Sequence, residues 1–173
     1  MSEIINRVAQ SSLITINLED YYHEGERIFY DIKDNLFQEI VLKEADFRAF
    51  IKENDWSYYQ NKNVAIGCSV DAIIPSWAYM LLVSAMNSYS NKVIIGSLAE
   101  LEQQLYQEAI ASIDANQYKD ARVVIKGCSE KPVPLYAYGE LTRVLQPHVK
   151  SLMYGEPCST VPIFKKKIDK VSG

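Results

Sequence analysis

Residues 64–69 read Val-Ala-Ile-Gly-Cys-Ser, and residues 123–129 read Val-Val-Ile-Lys-Gly-Cys-Ser. Each stretch is a short β-branched run that ends in a glycine turn, and a segment of helical length follows each one. The runs 93–95 and 151–154 complete an alternation of strands with helices, which are predicted over 75–89, 98–113 and 135–149. This βαβαβαβ pattern predicts parallel strands joined by right-handed crossovers. We therefore expect a three-layer open α/β sheet, mostly parallel, in the order 2-1-3-4.

The first 62 residues follow a different pattern. Three short β-rich runs, 13–18, 27–32 and 39–42, predict a small antiparallel meander. Apolar side chains recur at helical spacing over 43–54 and predict a helix packed on that meander. Because 62 residues alone would bury only a marginal core, we treat the whole chain as one domain. Its expected parts are the meander and helix over 1–62, the parallel core over 63–164 and a basic tail over 165–173.

Composition excludes several classes of protein. The chain has 173 residues, of which 48% are hydrophobic and 23% charged, so it can bury a core and is not a disordered tail. A net charge of -4 and a pI near 5.2 argue against nucleic-acid binding, which needs a concentrated basic face. The longest uncharged run, 72–91, contains Pro75 and several serines, so no membrane span is predicted. The first residues lack the pattern of a secretory signal, and we expect a soluble cytoplasmic protein.

The three cysteines follow predicted parallel strands. Cys68 comes after the first strand, Cys128 after the third and Cys158 after the fourth, and a serine follows each cysteine. The triplets 67–69 and 127–129 are both Gly-Cys-Ser, and each precedes a proline and then an Ala-Tyr pair. Because the order 2-1-3-4 makes strands 1, 3 and 4 neighbours, we expect the thiols to converge at the carboxyl edge of the sheet, where ligands bind in this fold class.

Converging thiolates predict a metal site, with zinc as the preferred ion. Its ligands would be Cys68, Cys128 and Cys158, with Asp71 or a water in the fourth position. A water there could be activated with Asp71 as base, so whether the protein is an enzyme depends on that position. Iron, an iron-sulfur cluster or a redox dithiol could use the same cysteines. A protein-interaction module with inert, buried cysteines is the third hypothesis.

Assembly and substrate are less determined by the sequence. A homodimer is the expected assembly only because cyclic dimers are the commonest arrangement of soluble oligomers. A metal site with an open position implies a small-molecule substrate, but no residue pattern identifies its chemistry.

Four stretches are distinctive in combination. They read Leu-Glu-Asp-Tyr-Tyr at 18–22, Asp-Ala-Ile-Ile-Pro-Ser-Trp-Ala-Tyr-Met at 71–80, Val-Ile-Lys-Gly-Cys at 124–128 and Tyr-Gly-Glu-Pro-Cys-Ser-Thr-Val-Pro at 154–162. Together they resemble an uncharacterised bacterial family, domain of unknown function 2480, over nearly the whole chain. The resemblance implies a cytoplasmic bacterial protein and supplies no catalytic residues, so the predicted site rests on residue types and their placement.

Overall fold

A computed structural model describes residues 13–127 and 130–167, and within them the chain forms seven strands and four α-helices. The strands are β1 (Leu13–Asn17), β2 (Arg27–Asp31), β3 (Asn63–Gly67), β4 (Lys92–Ile95), β5 (Arg122–Lys126), β6 (Ser151–Glu156) and β7 (Ser159–Lys165). The helices are α1 (Glu44–Glu53), α2 (Ser76–Met86), α3 (Leu98–Ala111) and α4 (Leu135–Leu145). The predicted α/β class and the predicted helices are confirmed. No helix in this part of the chain is long and apolar enough to cross a membrane.

The chain divides into two compact units. The first unit is Glu24–Gln104; the second unit joins the residues up to His23 to those from Leu105 onward. The first unit contains the parallel sheet β2-β3-β4, and the second contains β1-β5-β6-β7, in which only the β6-β7 hairpin is antiparallel. The single-domain assignment stays a prediction; its expected internal boundary, between Lys62 and Asn63, falls inside the first unit.

The strand pairing corrects two expectations. The antiparallel meander is wrong, because β1 pairs in parallel with β5 and β2 pairs in parallel with β3. The run 39–42 is not a strand, and Val41 makes only an isolated bridge to Phe37. The four predicted parallel strands are shared between two sheets, β3 with β4 and β5 with β6, rather than arranged in one sheet of order 2-1-3-4. Local β-propensity indicates that a strand exists but carries no information about its partner.

The two units repeat one pattern along the sequence. Equivalent residues are 59 positions apart: Phe47 and Tyr106, Tyr59 and Tyr118, Pro75 and Pro134, Leu82 and Leu141, Gly96 and Gly155. Backbone hydrogen bonds recur at the same spacing. The N–H of Asn61 donates to the Tyr89 carbonyl at 3.0 Å, and the N–H of Asp120 donates to the His148 carbonyl at 2.8 Å. Each unit can therefore serve as an internal comparison for the other.

Each unit buries one face of its central strand under the helix that follows it. In the first unit Val64 and Ile66 pack in a cluster with Ala78, Leu82 and Met86. In the second unit the equivalent cluster contains Val123, Ile125, Ala137, Leu141 and Leu145. Burying one such leucine or isoleucine contributes about 1.5–3 kcal/mol. This packing fixes α2 and α4 with their first turns at the carboxyl ends of β3 and β5.

Candidate functional site

The predicted metal ligands are distributed over both units. Cys68 and Asp71 belong to the first unit, Cys158 is exposed in the second unit, and Cys128 lies outside the described residues. The half-buried thiol of Cys68 donates to the Val70 carbonyl at 3.3 Å. Within 13–127 and 130–167, no three His, Cys, Asp or Glu side chains form a group that could hold a metal ion. None of the described contacts supports the zinc site, which stays a prediction.

Metal analysis tests the zinc prediction directly. The sequence predicts near-stoichiometric zinc in protein purified without added metal, and loss of that zinc in Cys128→Ser and in Cys158→Ser. The measurement is elemental analysis after anaerobic purification, which also reports iron for the cluster alternative. Folded wild-type protein that carries neither metal would contradict the prediction.

The Gly-Cys-Ser triplets do not follow the structural repeat. At the spacing of 59 residues, the counterpart of Cys68 is Gly127, so Cys68 and Cys128 do not occupy equivalent positions. A Cβ atom on Gly127 would lie 2.9 Å from the hydroxyl oxygen of Tyr138, so a side chain there would require that phenol to shift. Residues of the two triplets therefore differ by one position from structural equivalence. Their similarity in sequence is not evidence for a shared site.

A groove opens at the carboxyl ends of β5 and β6 in the second unit. Its volume is about 340 Å³, and it is lined by Ile125, Leu135, Tyr138, Thr142, Met153, Tyr154 and Ile163. The rings of Tyr138 and Tyr154 meet edge to face, with centroids 5.9 Å apart. The Thr142 hydroxyl donates to the Tyr138 carbonyl at 2.7 Å, so the helix backbone satisfies that donor. The lining is therefore apolar and aromatic, with few polar atoms.

A β-bulge forms one wall of this groove. Tyr154 pairs with Val161 and Leu152 pairs with Phe164, and the register shifts between Leu152 and Met153. Ile163 is the residue left without a partner in this register, and it lines the groove. Pro162 has no N–H to donate, which suits an irregular position in an edge strand. The wall thus depends on a local departure from regular pairing.

The rim of the groove exposes large apolar side chains. Leu135 is 86% exposed, Ile163 53% and Tyr154 44%. At the repeat positions in the first unit, Ser76 stands in place of Leu135 and Ile95 in place of Tyr154. Because a serine begins the equivalent helix, the repeated frame does not need a leucine there. An exposed apolar patch of this kind is typical of a binding surface.

Charged side chains hold the loops at the carboxyl edge of the same sheet. The Glu19 carboxylate accepts the backbone N–H of Glu130 at 2.9 Å. The Lys126 ammonium lies 3.4 Å from both carboxylate oxygens of Glu156. The Lys126–Glu156 pair is exposed and contributes little to stability. The contact from Glu19 helps to position the turn after β5.

A second cavity lies in the first unit, at the carboxyl end of β2. Its volume is about 320 Å³, and its lining combines aromatic rings with carboxylates and amides: Phe29, Tyr30, Asp31, Asp34, Asn35, Phe50, Asn54 and Tyr59. The Tyr30 hydroxyl donates to Oδ1 of Asn35 at 2.6 Å. Burial raises the pKa of Tyr30, so its phenol stays protonated at neutral pH. We call this cavity the β2 pocket.

Hydrogen bonds keep one carboxylate of the β2 pocket ionised. Oδ1 of Asp31 accepts the backbone N–H groups of Lys33 and Ser69, each at 3.1 Å. Burial alone would raise the pKa of Asp31, but these bonds and the nearby Lys33 ammonium lower it below its ordinary value. Asp31 therefore carries a negative charge at neutral pH.

Sequence reasoning missed both cavities. It did not single out Leu135, Tyr138, Tyr154, Asp31 or Asp34 as site residues. One signal was available in the sequence: Leu135 directly follows Pro134, where the equivalent residue after Pro75 is a serine. The aromatic residues of the β2 pocket come from three separate segments, so no local pattern connects them.

The fold and the groove together define an α/β protein with a candidate ligand site at the carboxyl ends of parallel strands. The chain belongs to the family described as Protein of unknown function (DUF2480), whose model matches residues 2–166. The resemblance seen in the sequence is thereby confirmed. No curated protein and no solved structure matches the chain.

Proposed function

We propose that the protein binds a small apolar or aromatic molecule in the groove at the carboxyl ends of β5 and β6. The observation that carries this proposal is the cavity of about 340 Å³ with its apolar and aromatic lining. Pockets for small ligands have volumes of roughly 300–1,000 Å³ and walls of this composition. The edge-to-face tyrosines would offer an aromatic ligand two rings to pack against.

The proposal is for binding rather than catalysis. The described residues that line the groove include no carboxylate, histidine or thiol, the usual groups for acid-base or nucleophilic chemistry. The Thr142 hydroxyl donates to a backbone carbonyl of its own helix. Specificity would come from shape and from ring contacts, with polar contacts limited to phenol and backbone groups near the opening.

Methionine methyl groups give a direct test. The chain has four methionines, and only Met153 lines the groove, whereas Met80 and Met86 belong to the first unit. We expect titration with indole to shift the Met153 methyl signal in a saturable way and to leave those of Met80 and Met86 unchanged. The measurement is methyl NMR on protein labelled at the methionine methyl carbon.

A matched pair of variants identifies the surface that binds. Leu135→Ser copies the residue of the first unit and should weaken indole binding by roughly tenfold or more, because it removes a leucine contact. Ile73→Ser removes an apolar side chain that is 94% exposed in the first unit, and it should leave the affinity unchanged. A Met153 signal that does not respond to indole, or equal affinities for the two variants, would refute the proposal.

A further inference from the structure

The β2 pocket combines two features that together select a class of ligand. Four of the residues that line it are aromatic: Phe29, Tyr30, Phe50 and Tyr59. It is also lined by the carboxylates of Asp31 and Asp34, and by no cationic side chain among the described residues. Aromatic faces attract cations through their quadrupole, and carboxylates attract them through charge. We infer that the β2 pocket binds a small organic cation of the alkylammonium class.

The ammonium group of Lys33 does not neutralise the negative charge that would attract such a cation. Lys33 is the one cation with a described contact to the pocket, and its ammonium lies 4.0 Å from Oδ2 of Asp31. Asp34 is exposed and lines the opening without an ion pair in the described part of the chain. The formal charge of the lining is therefore negative, and Lys33 offsets only part of it.

The repeat shows that the fold does not require this lining. Because β1 pairs with β5 as β2 pairs with β3, residues of β2 and of the turn after it have their counterparts 14 positions earlier in the chain. The counterparts of Phe29 and Tyr30 are therefore Thr15 and Ile16, and that of Phe50 is Ala109, none of them aromatic. The equivalents of Asn35 and Asn54 are Tyr21 and Ile113. There Tyr21 shares a side-chain hydrogen bond with Tyr118, the counterpart of Tyr59. The frame is thus built without the rings of Phe29, Tyr30 and Phe50 and without the two asparagines, so its stability does not explain those groups. Two lining residues do recur, since Tyr59 has Tyr118 as its counterpart and Asp34 has Asp20.

The lining fits an organic cation better than a metal ion. Within the described ranges, no three His, Cys, Asp or Glu side chains are grouped as metal ligands. A strongly hydrated metal ion gains little from aromatic faces, whereas an alkylated ammonium is weakly hydrated and packs against them. The volume of about 320 Å³ is that of a pocket for a small molecule.

Choline is a suitable probe because it has a neutral isostere, 3,3-dimethyl-1-butanol. We expect saturable binding of choline by calorimetry at low salt, and at least about tenfold weaker binding of the neutral alcohol. Trp56 supplies a second signal, since its ring centroid lies 6.4 Å from that of Tyr30 and 5.9 Å from that of Phe50. Its fluorescence should change on titration with choline and stay constant with sodium chloride.

Two variants and one matched control decide the inference. Asp34→Asn and Phe50→Leu should each weaken choline binding by about three- to tenfold, through loss of a charge and of a ring respectively. Asp46→Asn removes an exposed carboxylate of α1 that does not line the pocket, and it should leave the affinity unchanged. Equal binding of the neutral alcohol, equal affinities of Asp34→Asn and Asp46→Asn, or no saturable heat with choline would each overturn it. The Met153 titration reports on the groove in the second unit, whereas the choline experiments report on the β2 pocket in the first unit. Either proposal can therefore be refuted without the other.

Discussion

Replacing Leu141 with alanine should lower the free energy of unfolding by about 2–5 kcal/mol and move the urea midpoint by about 1–2 M. Leu141 is fully buried in the core of the second unit, so the variant loses the transfer free energy of the side chain and leaves a cavity. Both tryptophans of the chain, Trp56 and Trp77, lie in the first unit. Because we predict a single cooperative domain, the transition followed by tryptophan fluorescence should shift although the substitution is in the other unit.

Circular dichroism and an equivalent variant complete this test. Leu82→Ala makes the same change at the repeat position in the first unit, and it should shift fluorescence and circular dichroism together. Met80→Ala, at a side chain that is 66% exposed, should change stability by less than about 0.5 kcal/mol. A fluorescence transition that Leu141→Ala leaves in place, with a biphasic transition by circular dichroism, would contradict the single domain.

Asn63→Asp should destabilise the protein by about 3–5 kcal/mol at pH 7. Asn63 is fully buried at the start of β3, and its side-chain amide donates to the Glu24 carbonyl at 3.2 Å. Its Oδ1 accepts no hydrogen bond from any described residue. An aspartate would lose the donor and place a second acceptor against that carbonyl, in a fully buried position. Burial would therefore raise the folded-state pKa of the new carboxyl above its unfolded value of about 3.9.

The pH dependence distinguishes this mechanism from a simple packing defect. The unfolded state releases its proton first as pH rises, so the loss of stability should begin near pH 4 and level off above the folded-state pKa. Urea titrations between pH 4 and 8 measure it. Asn61→Asp is the control, because Asn61 is exposed at φ +60° and its counterpart Asp120 has φ +56°. A pH-independent loss in Asn63→Asp, or an equal loss in Asn61→Asp, would rule the mechanism out.

Local features of this fold could be predicted from the sequence because their causes are local. The helix over 135–149 was expected because a segment of helical length follows the β-branched run at 123–125, and α4 occupies Leu135–Leu145. Alternation in short β-branched runs likewise located six of the seven described strands. β7 was not predicted; it contains Pro162, which is tolerated there because β7 lies at the edge of its sheet.

Strand partners could not be predicted, because the partners are distant in the chain. Ile16 pairs with Ile125, and nothing in either run specifies the other. The cysteine hypothesis was affected in the same way, because it needed the first and third predicted parallel strands, which are β3 and β5, to be neighbours. The structure instead puts β3 and β5 in different sheets.

The candidate sites depend on details that periodicity does not encode. The groove needs the bulge that leaves Ile163 unpaired, and a regular hairpin would have placed that residue in register. The β2 pocket needs rings from separate segments, such as Phe29 and Phe50, brought together by packing. Leu135 was the one residue whose exposure could have been suspected, by comparison with Ser76.

The order of the strands has a consequence for synthesis on the ribosome. β1 leaves the exit tunnel before any part of the first unit, but its only partner in the described part of the chain, β5, follows that unit. At about 5–20 residues per second, β1 must wait several seconds, while the first unit can already close its own sheet. A strand with unsatisfied backbone groups is open to wrong pairing during that interval. β1 is thus exposed to wrong pairing until β5 has been made, and a slower ribosome would lengthen that interval.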